Sequence, residues 1–221
     1  DDELARLVAA LDAAFDRTTD IEASIEVDPR TVTAERLAAL KRLGFNRISF
    51  GVQDFDEQVQ QAVHRIQPES QVRSMMAAAR ELGFVSINVD LIYGLPKQSG
   101  VSFARTVERV VALRPDRIAL YAYAHLPQRF KPQRRIHEAD LPMPQERITM
   151  LATAIERFTA QGYDYIGMDH FALHDDALAV AKRERRLHRN FQGYTTRPDC
   201  DLLGLGVSAI AKVGPTFGQN A

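Results

Sequence analysis

Five places in the sequence put a carboxylate, an amide or an imidazole where an apolar run ends or is interrupted. They are Glu26 with Asp28, Gln53 with Asp54, Asp90, Ala124 with His125, and Asp169 with His170. Asp90 is set apart by its flanks. Ile87-Asn88-Val89-Asp90-Leu91-Ile92-Tyr93 is mostly apolar, and burying an unpaired carboxylate there is costly. One chemistry open to such a set is metal-assisted: Asp28, Asp90, His125, Asp169 and His170 offer the oxygen and nitrogen ligands of a barrel hydrolase or aldolase. A plainer role is also open, since Asp28, Asp54 and Asp56 each suit capping of a following helix. Arg65 falls on what reads as a solvated helix face. His170 and His174 have i, i+4 spacing, which makes a metal pair only on a helix. Gly204-Leu205-Gly206 lacks the third glycine of a dinucleotide fingerprint, and nothing identifies a base for Cys200 as a nucleophile.

Elements able to position these groups follow from periodicity. Helices are expected over 3–16, from Thr33 to Gly44, through Val59, Ala62, Val63 and Ile66, over about 70–82, through Phe103–Leu113, and from Pro144 to about Ala160. Between them lie strands at Ile21–Asp28, Arg47–Val52, Ile87–Tyr93, Arg117–Ala124 and Tyr163–Met168. Leu43-Gly44-Phe45, Leu82-Gly83-Phe84 and Gln161-Gly162-Tyr163 each mark a helix stop before a strand. Strands alternating with helices argue for βαβ units and a parallel sheet, apolar on both faces, with function at the carboxyl ends of the strands. Residues 128–143 are basic and proline-containing and read as a surface excursion. Past residue 175 comes a charged helix over 175–186. Then follow 187–196, which show no periodicity, and the glycine-rich apolar stretch 202–210, suited to a close backbone approach.

A net charge of −1 gives no electrostatic reason to expect nucleic acid or an anionic membrane as partner. No apolar run approaches the roughly 20 residues needed to span a bilayer. One cysteine excludes an internal disulfide framework, and a cytoplasmic location fits. The acidic start, Asp1-Asp2-Glu3, reads as the interior of something longer.

Together, Ser24-Ile25-Glu26-Val27-Asp28-Pro29, Gly51-Val52-Gln53-Asp54-Phe55, Asp90–Pro96, Tyr123–Pro127, Gly167–Ala172 and His188–Thr196 resemble the oxygen-independent coproporphyrinogen III oxidases. These are radical S-adenosylmethionine (SAM) proteins of haem biosynthesis. The resemblance implies the later βα units of a partial, open (β/α)6 barrel, one domain over 1–221, with SAM and a [4Fe–4S] cluster at its mouth. It implies hydrogen abstraction from substrate propionates by a 5′-deoxyadenosyl radical, with oxidative decarboxylation to vinyl groups giving protoporphyrinogen IX. By the same resemblance Glu26, Gln53, Arg65, Asp90, Ala124 and Ile210 contact SAM, which reverses the solvated reading of Arg65. Ile92, Phe191 and Gln192 lie near a second SAM or the substrate. The implied partners are coproporphyrinogen III and an electron donor for the cluster, with a monomer expected at full length and neither nucleic acid nor membrane.

The family's Cys-x3-Cys-x2-Cys cluster motif is absent, and Cys200 alone cannot supply three thiolates. The expectation is therefore of an internal piece lacking its cluster cysteines and C-terminal domain, inactive alone. A non-catalytic haem- or porphyrin-binding relative is the remaining alternative.

Overall fold

Apolar stripes three and four residues apart, closed by caps, set the helices. In the computed structural model, which describes residues 2–220, the chain runs α1 (Asp2–Ala14), β1 (Ser24–Val27), α2 (Ala34–Arg42), β2 (Arg47–Gln53), α3 (Glu57–Ala62), α4 (Glu69–Glu81) and β3 (Ser86–Tyr93). It continues with α5 (Gly100–Leu113), β4 (Arg117–Ala122), α6 (Pro144–Ala160), β5 (Tyr163–Gly167) and β6 (His170–Leu173). In α5 the side chains of Phe103, Thr106, Val107, Val110 and Leu113 form the buried stripe. Ser99 opens that helix with a reciprocal capping box to Ser102. Thr33 caps α2 by accepting from the Arg36 amide, and Pro144 occupies the start of α6.

The six strands form one sheet in the order β1-β2-β3-β4-β6-β5. The first four are parallel, joined by helical crossovers. The last two form an antiparallel hairpin, with β6 inserted between β4 and β5. The strand expected over 163–168 forms as β5 and runs in the direction of the first four, but the unexpected antiparallel β6 lies between it and β4. The turn at Gly167 (φ 143°) and Met168 (φ 51°) reverses the chain, and the four residues of β6 follow almost at once.

Only one face of the sheet is apolar. Ile48, Phe50, Ile87, Val89, Leu91, Ile118 and Leu120 point to the helix side and are almost wholly buried, each stabilising the fold by roughly 1.5–3 kcal/mol relative to exposure. They pack with Leu37, Met76, Phe103, Val107, Met150 and Phe158. On the opposite face the alternating residues are Ser24 and Glu26 of β1, Arg47 and Ser49 of β2, Asn88, Asp90 and Ile92 of β3, and Arg117 and Tyr121 of β4. The expected apolarity on both faces is thus replaced by an apolar outside and a polar inside, the pattern of a barrel wall that holds a ligand. Ile66 lies past the end of α3 and is exposed, so it is no part of that helix's packing face.

From Ala177 onward the chain forms a second compact unit. It contains α7 (Ala177–Arg183) and two hairpins, β7 (His188–Asn190) with β8 (Gly193–Thr195) and β9 (Ile210–Val213) with β10 (Thr216–Gln219). The glycine-rich stretch makes the close approach expected of it. A Cβ at Gly204 would lie 2.7 Å from the Ile210 carbonyl carbon and oxygen. Among the described residues no helix is long and apolar enough to cross a membrane.

Candidate functional site

Parallel register brings the strand-borne polar groups to one end of the inner face. Glu26 pairs with Ser49, Gly51 with Asp90, and Asp90 with Ala119. The Asp90 carboxylate is 8% exposed and held on both oxygens. Ser49 Oγ donates to Oδ2 at 2.9 Å, and Asn88 Nδ2 donates to Oδ1 at 2.9 Å and to Ser49 Oγ at 2.8 Å. Burial, opposed by these hydrogen bonds and reinforced by Glu26, pushes the Asp90 carboxyl up to about 6. Neither Ser49 nor Asn88 stands out in the sequence. Their signal is position, since polar residues two apart on neighbouring strands share a face.

Gln53 ends β2 in a strained turn. Its φ is 66°, unusual for a residue with a Cβ, and the Asp54 amide closes a three-residue turn on the Val52 carbonyl at 2.9 Å. Register shifts here, with Val52 as the extra residue between the Gly51–Asp90 and Gln53–Leu91 pairs. What holds the strain is buried. Asp54, 2% exposed, accepts from the Asp56 amide at 2.6 Å, Gln98 Nε2 at 2.5 Å and Thr106 Oγ1 at 2.7 Å. Gln98 in turn accepts from the Gly94 amide and donates to the Ile92 carbonyl, which joins the β2 and β3 ends. Asp54 is therefore a structural tie, and the capping group of α3 is Asp56.

Arg65 is not on a solvated helix face. It follows α3 in a loop fixed by two buried amides. Gln60 donates to the carbonyls of Asp54 and Gln67 and accepts from the Gln67 amide, while Gln67 Nε2 donates to the Val52 carbonyl. This turns the Arg65 guanidinium over the end of β2, with Nη2 donating to the Gly51 carbonyl at 2.8 Å and Nη1 3.4 Å from Asp28 Oδ2. Arg65 Nε is buried without a partner. A Cβ on Gly51 would stand 3.0 Å from both Arg65 Nη2 and Gln53 Nε2, so the missing side chain is what admits both groups. Asp28 is chiefly held by Arg30, whose bonds keep its carboxyl below the usual range.

The remaining residues close the rim. Tyr121 faces Asp90, Asp169 and Glu26, and burial with those charges raises its phenol to about 12. Asp169 and His170 pair at 2.5 Å beside it. Ala124 sits just past β4, its carbonyl accepting from Gln133 Nε2 at 3.0 Å. Ile92 stands on the inner face opposite Tyr121. Glu26, Gln53, Arg65, Asp90, Ile92 and Ala124 thus share the carboxyl-end mouth of the sheet. In the second unit Phe191 and Gln192 are the turn residues of the β7–β8 hairpin, where Asn190 Oδ1 accepts from the Gln192 and Gly193 amides, and Ile210 opens β9. Phe191 meets Phe217 edge-on, with ring centroids 6.5 Å apart.

The metal set open to the sequence does not assemble. Among the described residues no three histidine, cysteine, aspartate or glutamate side chains come together in a way that could hold an ion. Asp28 is already held by Arg30 and Arg65. His170 opens a strand and His174 directly follows it, so the pair has no helix to share.

Comparison with known proteins adds the decisive observation. Residues 1–110 match the radical SAM superfamily. Oxygen-independent coproporphyrinogen III oxidase of Pseudomonas aeruginosa is 56% identical over 197 residues, 89% of this chain and 43% of that protein. The oxidase of Escherichia coli is 53% identical over 218 residues, 99% of this chain and 48% of that protein. This chain belongs to the radical SAM superfamily. A solved Escherichia coli coproporphyrinogen III oxidase, described as a radical SAM enzyme, superposes with a TM-score of 0.96 at 53% identity, covering 98% of this chain and 50% of the other. Archaeal Elp3 from Methanocaldococcus infernus, at 15% identity and a TM-score of 0.51, shares the fold alone. The chain spans about half the length of the curated relatives it matches.

The superfamily's two cofactors fare differently against these residues. SAM carries a carboxylate, cationic centres and ribose hydroxyls. The mouth offers a guanidinium with an orphaned donor, carboxylates and an amide around a side-chain-free Gly51, so the donor set fits. A [4Fe–4S] cluster does not fit: it needs several thiolates, and this chain has one cysteine, the exposed Cys200.

Proposed function

We propose that this chain is the SAM-holding wall of an oxygen-independent coproporphyrinogen III oxidase, which converts propionates of coproporphyrinogen III to vinyl groups and yields protoporphyrinogen IX. One observation carries the SAM part of this reading: Arg65 and Gln53 converge over Gly51, next to a buried Asp90. The substrate assignment is supported by 53% and 56% identity to relatives of that name.

In this reading the Arg65 guanidinium, with Nε still unsatisfied, takes the methionine carboxylate of SAM as a charge-assisted pair. Glu26 and Asp90 take the ammonium and ribose hydroxyls, and Gln53 presents its amide beside them. Ala124 contributes backbone at the rim, and Ile92 faces a second SAM or the substrate. SAM supplies the hydrogen-abstracting radical, and this chain's residues bind, orient and exclude water. This chain's residues supply neither the cluster thiolates nor the electron.

The test is anaerobic turnover of the complete oxidase carrying this chain, with iron, sulfide, reductant, SAM and coproporphyrinogen III. Decarboxylated product with matching 5′-deoxyadenosine is expected. SAM cleavage without any decarboxylation would overturn the substrate assignment. The 221-residue chain alone is expected to show no iron–sulfur absorbance and no SAM cleavage.

A further inference from the structure

The segment 127–136 carries Arg129, Lys131, Arg134 and Arg135 and no acidic residue. All four side chains are exposed, and none is in an ion pair among the described residues. The segment is nonetheless tied down. Gln133 bridges the Ala124 carbonyl and the Leu126 amide, and Arg134 Nε donates to the Pro127 carbonyl at 3.0 Å. Further along, the Asp140 carbonyl accepts from the Lys97 amide at 2.7 Å. The excursion is therefore anchored just past the carboxyl ends of β4, at Ala124 and Leu126, and of β3, at Lys97.

Charge along this mouth is divided. Glu26, Asp90 and Asp169 stand with Arg65 in its interior, while the loop past β4 holds four cations with no ion-pair partner among the described residues. Like charges fixed within one short turn repel one another, and an anionic ligand relieves that repulsion. Exposed apolar groups accompany the cations, Leu126 just before them and Phe130 between Arg129 and Lys131, with the Arg129 guanidinium 5.8 Å from the Phe130 ring centroid. Cations interleaved with apolar surface suit an amphiphilic molecule that bears several carboxylates on a flat hydrophobic body.

We infer that the loop after β4 is a carboxylate-binding rim, in which Arg129, Lys131, Arg134 and Arg135 hold the non-reacting propionate arms of the tetrapyrrole substrate. The inference rests on the oxidase reading and adds to it the residues that select a polycarboxylate. A chain with net charge −1 and one short basic loop gives no comparable case for a nucleic acid.

The experiment is a fluorescence titration of the complete oxidase with coproporphyrin III, a stable tetracarboxylate, and with its tetramethyl ester. The protein is compared with an Arg129→Ala/Arg134→Ala/Arg135→Ala variant. Wild type should prefer the acid to the ester, and the variant should bind the acid about tenfold or more weakly, with SAM affinity retained. Raising NaCl from about 0.05 to about 0.5 M should weaken acid binding by wild type, a readout independent of the variant's folding. Equal acid affinity in both proteins overturns the rim and leaves the oxidase reading standing. Equal affinity of wild type for acid and ester does the same. No porphyrin binding by wild type overturns both. Loss of binding to phosphatidylglycerol vesicles, with porphyrin affinity kept, would make the loop a membrane contact and overturn the rim.

Discussion

Asp90 is the residue at which sequence and geometry meet most directly. A carboxylate in an apolar strand asks for a reason, and the reason is a buried acceptor held by Ser49 and Asn88. Its carboxyl titrates near 6, above the ~3.9 of an exposed aspartate. Between those values the folded chain keeps a proton that the unfolded chain has lost. Stability therefore falls as pH rises from about 4 to about 6, by up to about 3 kcal/mol, and Asp90→Asn should remove that slope in urea titrations. The same proton opposes a cationic ligand, so SAM affinity should fall as pH drops below about 6, and the variant should lose that step. Arg65 is legible only through family resemblance. Its placement depends on Gln60 and Gln67, amides that look like surface residues in sequence and are 5% and 1% exposed.

At the level of elements, the four βα units can be read because apolar runs, Gly stops and caps coincide. The hairpin of β5 and β6 cannot. His170–Leu173 is four residues long, close after a turn, too short for period-two alternation to declare itself. The β2 end is legible as a strand stop, but its strained turn is not, because the strain is held by Asp54, Gln98 and Thr106 from three separate elements. Asp54→Ala would remove the acceptor of the Asp56 amide, of the Thr106 hydroxyl and of one of the two Gln98 Nε2 hydrogens, the other staying on the Ile92 carbonyl. A loss on the order of 3 kcal/mol in chemical denaturation is expected, together with weaker SAM binding as Gln53 relaxes from its positive φ. Unchanged SAM affinity in a destabilised variant would confine Asp54 to a purely structural role.

Over the whole molecule, the sheet has an apolar face covered by helices and a polar face left for ligand. Composition cannot reveal that division, because it depends on which alternate residues of each strand face the helices. β1 has a strand neighbour on one side only among the described residues, and an open edge of this kind invites further pairing. In the proposed reading the polar face is a SAM site in which Arg65 takes the carboxylate. The direct measurement is calorimetric titration of SAM into the complete oxidase, wild type beside Arg65→Lys and Arg109→Lys. Arg109 is a cation elsewhere on the fold that bonds the Phe55 carbonyl. Lysine cannot reproduce a guanidinium fork, so Arg65→Lys should weaken SAM binding by about tenfold or more while Arg109→Lys leaves it unchanged. Equal SAM affinity in all three proteins would contradict the assignment of the mouth.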